Sequence, residues 1–231
     1  SASNNLLTTI NISSCTSLTT LECAANQLTN LDVSNNTSLS RVYCPYNQIA
    51  TLNLSNNTFL TEINCSDNLI TNLILMPSSI LTSMYCGGNP LNNFDATLYP
   101  SLEKLSIYDA NINYIDLSQN PYLWRLSIGE NPFQTLDLSH NSQLTKLDIF
   151  MNSLNNLDMR NGNNINVTYF VSFYSPNLQC IDVDDAAWSS ANWTDIDAQH
   201  YFSNNCTPSA IQEQNPNKEL LKTIDLLGRE T

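Results

Sequence analysis

Basic residues are scarce in this chain: eight Lys and Arg stand against 21 Asp and Glu, a formal net charge of −13 at pH 7. Binding to nucleic acid needs clustered Lys and Arg against the phosphates, so that ligand class is excluded. There is no run of about 18 or more apolar residues, and hence no candidate transmembrane helix. No charged-then-apolar leader opens the chain, so any signal peptide is expected to have been removed or left out. Histidine is nearly absent. His140 and His200 are the two present, and neither has a zinc-type partner pattern. There is no nucleophile elbow, phosphate loop or HExxH, so no enzyme activity, metal or cofactor is expected. Glycine is also rare, five in 231 residues. The apolar positions are too regular for a flexible low-complexity chain.

That regularity is a repeat. Residues 18–38 read LTTLECAANQLTNLDVSNNTS, and residues 39–59 read LSRVYCPYNQIATLNLSNNTF. Leu18, Leu39, Leu60, Leu81, Leu102, Leu123, Leu144 and Ile165 are spaced 21 residues apart. Counting each as offset 0, apolar residues return at offsets 3, 5, 10, 13 and 15, and Asn at offset 8. Asn5, Leu7, Ile10 and Ile12 hold the same phase before the first full unit. A fixed period of this length predicts a solenoid, one domain growing in one dimension around a shared core.

Within a unit, apolar offsets 3 and 5 alternate with polar offsets 2, 4 and 6. This predicts a short strand with one face inward. Stacked units place these strands in parallel, about 4.8 Å apart. The unit is too short for a long helix, so the return leg is expected to be a tight turn, a 3₁₀ turn or extended. Asn5, Asn26, Asn47, Asn68, Asn89, Asn131 and Asn152 form the offset-8 column. An amide donates and accepts, so this column is expected to satisfy backbone groups at a buried bend. Ala110 interrupts it, with Asn111 following, and a local change in that turn is expected.

The LxxLxCxxNxL block resembles the leucine-rich repeat signature over roughly residues 5–183. Its length and LDLSxN second half look like bacterial repeats of the internalin-like and Bacteroidetes surface types. The resemblance implies an α/β-type horseshoe, mostly β, with a parallel concave sheet and short return legs. It also implies a protein ligand on the concave face.

Cys23, Cys44, Cys65 and Cys86 all fall at offset 5. They lack the close pairs of metal clusters and are expected to be buried thiols. Cys15 lies in a turn and is expected to be free. The 21-residue phase ends near CIDVDDAAWSSANWTDIDAQHYFSNNC, residues 180–206. This segment resembles the C-terminal cap of Bacteroidetes leucine-rich repeat proteins, with Trp188, Trp193 and Phe202 as cover and Asp184 and Asp185 in turn and capping roles. That resemblance implies a Cys180–Cys206 disulfide, worth about 3 kcal/mol and suited to an oxidising compartment.

The expected organisation is a solenoid over 1–177, a cap over 178–206 and a polar linker over 207–217. Residues 218–231, KELLKTIDLLGRET, resemble the start of the sorting domain that directs Bacteroidetes proteins through type IX secretion. The implied location is secreted or cell-surface, and a monomer is expected. Asp32, Asp95, Asp116, Asp137 and Asp158 form a further column, at offset 14. One carboxylate per turn is a poor calcium cage, so a solvated edge is preferred.

Four of the eight basic residues share offset 2: Arg41, Lys104, Arg125 and Lys146. Tyr43, Tyr85 and Tyr169 are read at offset 4, Tyr108 and Phe150 at offset 6, and Tyr46 at offset 7. Arg among aromatic residues on a rigid face is an interface composition. The expected function is therefore adhesion or interaction through an extracellular protein ligand. Acidic glycan on the same residues is the alternative.

Overall fold

A computed structural model describes residues 1–206. The linker and sorting-domain readings, at 207–217 and 218–231, lie outside the described residues. Fourteen three-residue strands run in chain order as β1 (Thr20–Glu22), β2 (Arg41–Tyr43), β3 (Thr51–Asn53), β4 (Glu62–Asn64), β5 (Asn72–Ile74), β6 (Ser83–Tyr85) and β7 (Lys104–Ser106), then β8 (Arg125–Ser127), β9 (Thr135–Asp137), β10 (Lys146–Asp148), β11 (Asn156–Asp158), β12 (Tyr169–Val171), β13 (Cys180–Asp182) and β14 (Tyr201–Ser203). One helix, α1, spans Ala186–Asn192.

The chain has the leucine-rich repeat fold, a parallel-strand solenoid. Eight strands form the concave sheet in the order β1-β2-β4-β6-β7-β8-β10-β12. The register is that of the repeat, with Lys104 beside Arg125 and Arg125 beside Lys146. The return legs are largely extended, and their short strands pair as β3-β5 and as β14-β13-β11-β9. Between those two sheets two return legs form no strand, and the first carries a 3₁₀ turn, Ala96–Leu98, capped by Asp95. The core lies between the concave sheet and the return legs. Leu at offset 3, Cys or Ile at offset 5 and Leu or Ile at offset 10 are nearly all fully buried there.

The offset-8 amides hold successive units together. Asn68 Nδ2 donates to the carbonyls of Cys44 and Cys65 at 3.0 Å each. Its Oδ1 accepts the N–H of Ile49 at 3.0 Å. Asn26, Asn47, Asn89 and Asn131 repeat the pattern across the stack. Asn152 keeps the donor half, to Ile128 and Ile149, while Ser175 takes the next place in the column. Asn5 differs: it sits exposed and its side chain bonds only locally, to Ala2 and Ser3. At Ala110 the column breaks, and the N–H of Leu91 turns to the Asn89 carbonyl instead. Asn111 and Asn92, both at positive φ, join side chains across that break at 2.6 Å.

A second amide column was not singled out in the sequence. Asn36, Asn57, Asn120 and Asn141 are buried at offset 18. Each donates to two carbonyls of the preceding unit, as Asn120 does to Ala96 and Tyr99.

The 21-residue spacing does not reach Ile165, which is 64% exposed. Val167 takes the buried place, and Tyr169 pairs with Lys146. A 3₁₀ turn at Asn164–Asn166 absorbs the two extra residues. Tyr169 therefore stands in the offset-2 row, not at offset 4. The cap continues the solenoid, since β13 and β14 extend the return-leg sheet without a break. Trp193 stacks on Phe170 with centroids 4.4 Å apart, and its Nε1 donates to the Val167 carbonyl at 3.2 Å. Asp185 caps α1 by accepting the N–H groups of Ala187 and Trp188. Cys180 and Cys206 are bonded, and the other five cysteines are free.

Candidate functional site

The bend after each concave strand is made in the left-handed region. Ala25, Tyr46, Asp67, Asp109, Glu130, Met151 and Tyr174 all have φ between 46° and 60°. Glycine occupies that place once in the repeats, at Gly88 with φ 64°. The bend carries offset-7 side chains outward at the rim of the sheet. It leaves Tyr46 63% exposed and Tyr174 68% exposed.

The offset-2 row now reads Thr20, Arg41, Glu62, Ser83, Lys104, Arg125, Lys146, Tyr169. Arg41 pairs with Glu62 at 3.8 Å, which separates it electrically from the other cations. Lys104, Arg125 and Lys146 occupy three adjacent strands, and among the described residues none of them forms an ion pair. Like charges on neighbouring strands repel, so this row is costly without an anionic partner.

Trp124 partly relieves that cost. Its ring faces two of the three cations: Lys104 Nζ lies 5.5 Å from the ring centroid and Lys146 Nζ 6.0 Å. Such contacts contribute about 0.5–1 kcal/mol at exposed sites. Sequence reasoning missed Trp124. The signal was present, because offset 1 otherwise holds Thr, Ser or Glu in every full unit.

The two offset-6 aromatics do not stand free. A Cβ on Gly87 would lie 2.3 Å from Tyr108 Cδ1, and one on Gly129 would lie 2.6 Å from Phe150 Cδ1. Each ring is laid flat on the glycine of the preceding strand. Tyr108 Oη also donates to Asp67 Oδ2 at 2.8 Å. Burial, then that bond, raises the Tyr108 hydroxyl well above its ordinary pKa. Tyr43 is raised to about 12, by burial first and then by Glu62. Tyr85 is raised by burial as well.

A depression of about 220 Å³ opens between Arg125 and Lys146, walled by Tyr169 with Ser127 and Asp148 beneath. Burial raises the Asp148 pKa, and the Phe150 N–H and Arg125 only partly oppose this. Tyr169 is 47% exposed and raised, by burial and then by Asp148 and Asp195. Tyr169 is thus joined to Lys104, Arg125 and Lys146 in one cluster. Arg41, Tyr43 and Tyr46 stand apart, three to six strands away, with Tyr85 between.

The offset-14 column has a local role. Asp32, Asp116, Asp137 and Asp158 each accept the N–H two residues on, at 2.9–3.0 Å. Asp32 and Asp116 are lowered chiefly by their Ser partners, and Asp158 by Arg160. Arg160 ties Asp158 to Asp182 of the cap, at 2.5 and 3.6 Å. No described group of three His, Cys, Asp or Glu is placed to hold a metal ion.

The chain is similar to several solved structures. It is 29% identical to the functional domain of InlJ from Listeria monocytogenes, with a TM-score of 0.63, over 77% of this chain and 46% of that one. That InlJ domain includes a cysteine ladder; here Cys23, Cys44, Cys65 and Cys86 stack at one offset, fully buried. A leucine-rich repeat protein of Leptospira interrogans matches at 16% identity and TM-score 0.58, over 87% of this chain and 64% of that one. YopM, a leucine-rich effector of Yersinia pestis, matches at 19% and 0.54, over 73% and 60%. The chain thus spans about half the length of that InlJ domain and under two thirds of the other two structures. No family model and no curated protein matches the sequence. The likeness supports an internalin-like leucine-rich repeat fold.

Proposed function

We propose that this chain is a non-enzymatic interaction module, secreted or displayed at a cell surface, that binds a protein through its concave face. The observation that carries this is the row Lys104, Arg125 and Lys146. An acidic chain gathers three of its five described cations on adjacent strands, without described ion-pair partners, around Trp124 and beside Tyr169. A solvated face has no use for that arrangement, whereas a ligand carrying carboxylates does. Arg125 and the aromatic neighbours are anchor residue types. Tyr43, Tyr46 and Tyr85, with Arg41, extend the surface toward the other end of the sheet.

The Cys180–Cys206 bond and the likeness to InlJ favour an extracellular or surface location. We further propose that the solenoid of 1–177 and the cap of 178–206 act as one monomeric binding unit. The 207–217 linker would lead to a sorting segment at 218–231 read by type IX secretion in a Bacteroidetes host. Acidic glycan is the second reading, favoured by the depression between Arg125, Lys146 and Tyr169.

The test is a panel of purified extracellular protein domains and acidic polysaccharides, measured by interferometry against the wild-type chain and Arg125→Glu/Lys146→Glu. Binding to a protein that the double variant weakens supports the reading. Binding confined to polysaccharide, or indifferent to the double variant, overturns it.

A further inference from the structure

The concave face changes sign across the strands as well as along them. Lys104, Arg125 and Lys146 line one edge of a trough over β7, β8 and β10. At the opposite rim stand the exposed carboxylates of Asp109 and Glu130, at the left-handed bends after β7 and β8. The floor between is low over β7 and β8, where Ser106 and Ser127 take the middle places on the ligand side. The Tyr108 and Phe150 rings, lying over Gly87 and Gly129, form an apolar strip before the acidic rim. From offset 2 to offset 6 is four strand residues, about 13 Å. An α-helix with its side chains is about 10–12 Å across.

The repeat distances also agree. Cations one strand apart recur every 4.8 Å or so. A helix lying along the solenoid axis presents one residue to a given line each turn, about every 5.4 Å. Over three cations the mismatch is about 1 Å, within the reach of a Lys or Arg side chain. An extended peptide presents a side chain to one face about every 6.7 Å, and drifts by nearly 4 Å over the same row. A polyanion charged on all sides would meet Asp109, Glu130 and the floor carboxylate Asp148 as like charges. A helix confines its acids to one stripe.

We propose that this trough seats an amphipathic α-helix of the protein partner, its axis along the solenoid. Acidic residues, one per turn, lie against Lys104, Arg125 and Lys146. An apolar stripe covers Tyr108 and Phe150. Lys or Arg on the far flank meets Asp109 and Glu130, which fixes the helix's rotation about its own axis. The proposal rests on the concave-face reading and narrows it.

The probe is a lactam-stapled peptide of about five helical turns carrying that acidic, apolar and basic pattern. Its comparators are an unstapled isomer whose acids align only in an extended chain, and polygalacturonate. Calorimetry is run with the wild-type chain, Arg125→Glu/Lys146→Glu and Glu130→Lys. The stapled helix should bind at least about tenfold more tightly than the isomer and weaken with salt. The double variant should lose about tenfold or more, and a helix with lysines in the acidic stripe should recover binding to that variant. Such recovery also shows that the variant is folded. Equal or tighter binding of the isomer or of polygalacturonate overturns the proposal, as does no peptide binding at all. If the peptide fails while a protein from the domain panel still depends on Arg125 and Lys146, the helix is wrong and the concave face stands. If neither depends on them, both fall.

Discussion

The ring of Tyr108 lies across Gly87, one strand back in the stack, so close that a Cβ at residue 87 would stand 2.3 Å from Tyr108 Cδ1. The hydroxyl of the same tyrosine reaches Asp67, two units back, at 2.8 Å. One aromatic therefore covers three consecutive turns, and it does so only because the middle strand carries glycine.

Gly87→Ala should lift the Tyr108 ring and break its bond to Asp67. The cost expected for overpacking is about 1–3 kcal/mol. The Tyr108 hydroxyl should titrate closer to its ordinary value, since burial and Asp67 are what raise it. Urea melts and the Tyr108 ring resonances check this. Unchanged stability with an unmoved ring would show that the turn has room for a methyl group.

Asn68→Ala should destabilise by about 1–3 kcal/mol, because it strands the carbonyls of Cys44 and Cys65 and the N–H of Ile49. Asn120→Ala, in the second column, should fall in the same range of about 1–3 kcal/mol through Ala96 and Tyr99. Thr71→Ala, on an exposed residue, should stay within about 0.5 kcal/mol. Three equal midpoints in urea would show that neither amide column carries load.

Reduction of Cys180–Cys206 should cost about 3 kcal/mol. Non-reducing peptide maps should find that pair bonded, with Cys23, Cys44, Cys65 and Cys86 unmodified until the protein unfolds. Burial raises Cys23 and Cys44, which disfavours the reactive thiolate. Rapid alkylation of these four thiols in folded protein is the contrary result.

Acidification should loosen the cap. Burial alone would raise Asp197, but the N–H groups of Tyr174 and Ser175, with His200, hold it below its ordinary value. A depressed carboxyl contributes stability that is present above its unfolded-state pKa and is lost as pH falls through the folded one. Asp197→Asn should therefore be less stable than wild type at pH 6, with the gap closing toward pH 3. Asp148 has the opposite sign: its raised pKa makes the ionised form a burden at neutral pH, so Asp148→Asn should match or exceed wild type there. A gap at Asp197 that is constant with pH would contradict the linkage.

Much of the fold was legible because period 21 and period 2 coincide in every full unit. The offset-8 amides and the offset-5 cysteines follow directly from that register. The break at residues 144–167 was not legible, because Ile165 satisfies the apolar pattern by chance. A 3₁₀ turn shifts the register by two, and this alone moves Tyr169 into the cation row. Asn36, Asn57, Asn120 and Asn141 were hidden among the many polar residues of the return leg. At the site, the cation row was readable from spacing. The position of the Tyr108 and Phe150 rings was not, since it depends on Gly87 and Gly129 one unit earlier. Nor does the sequence show that Arg160 joins Asp158 to the cap residue Asp182.

The most direct measurement compares association of a protein from the extracellular-domain panel with two variants of equal charge change. One is Arg125→Glu/Lys146→Glu on the concave face. The other places glutamate at Thr51, Asn72, Thr135 and Asn156, four exposed return-leg residues. Both lower the net charge by four. If the concave face is the binding surface, the first variant slows association and flattens its salt dependence, while the second stays near wild type. Equal loss in the two variants, with both folded, would contradict the account.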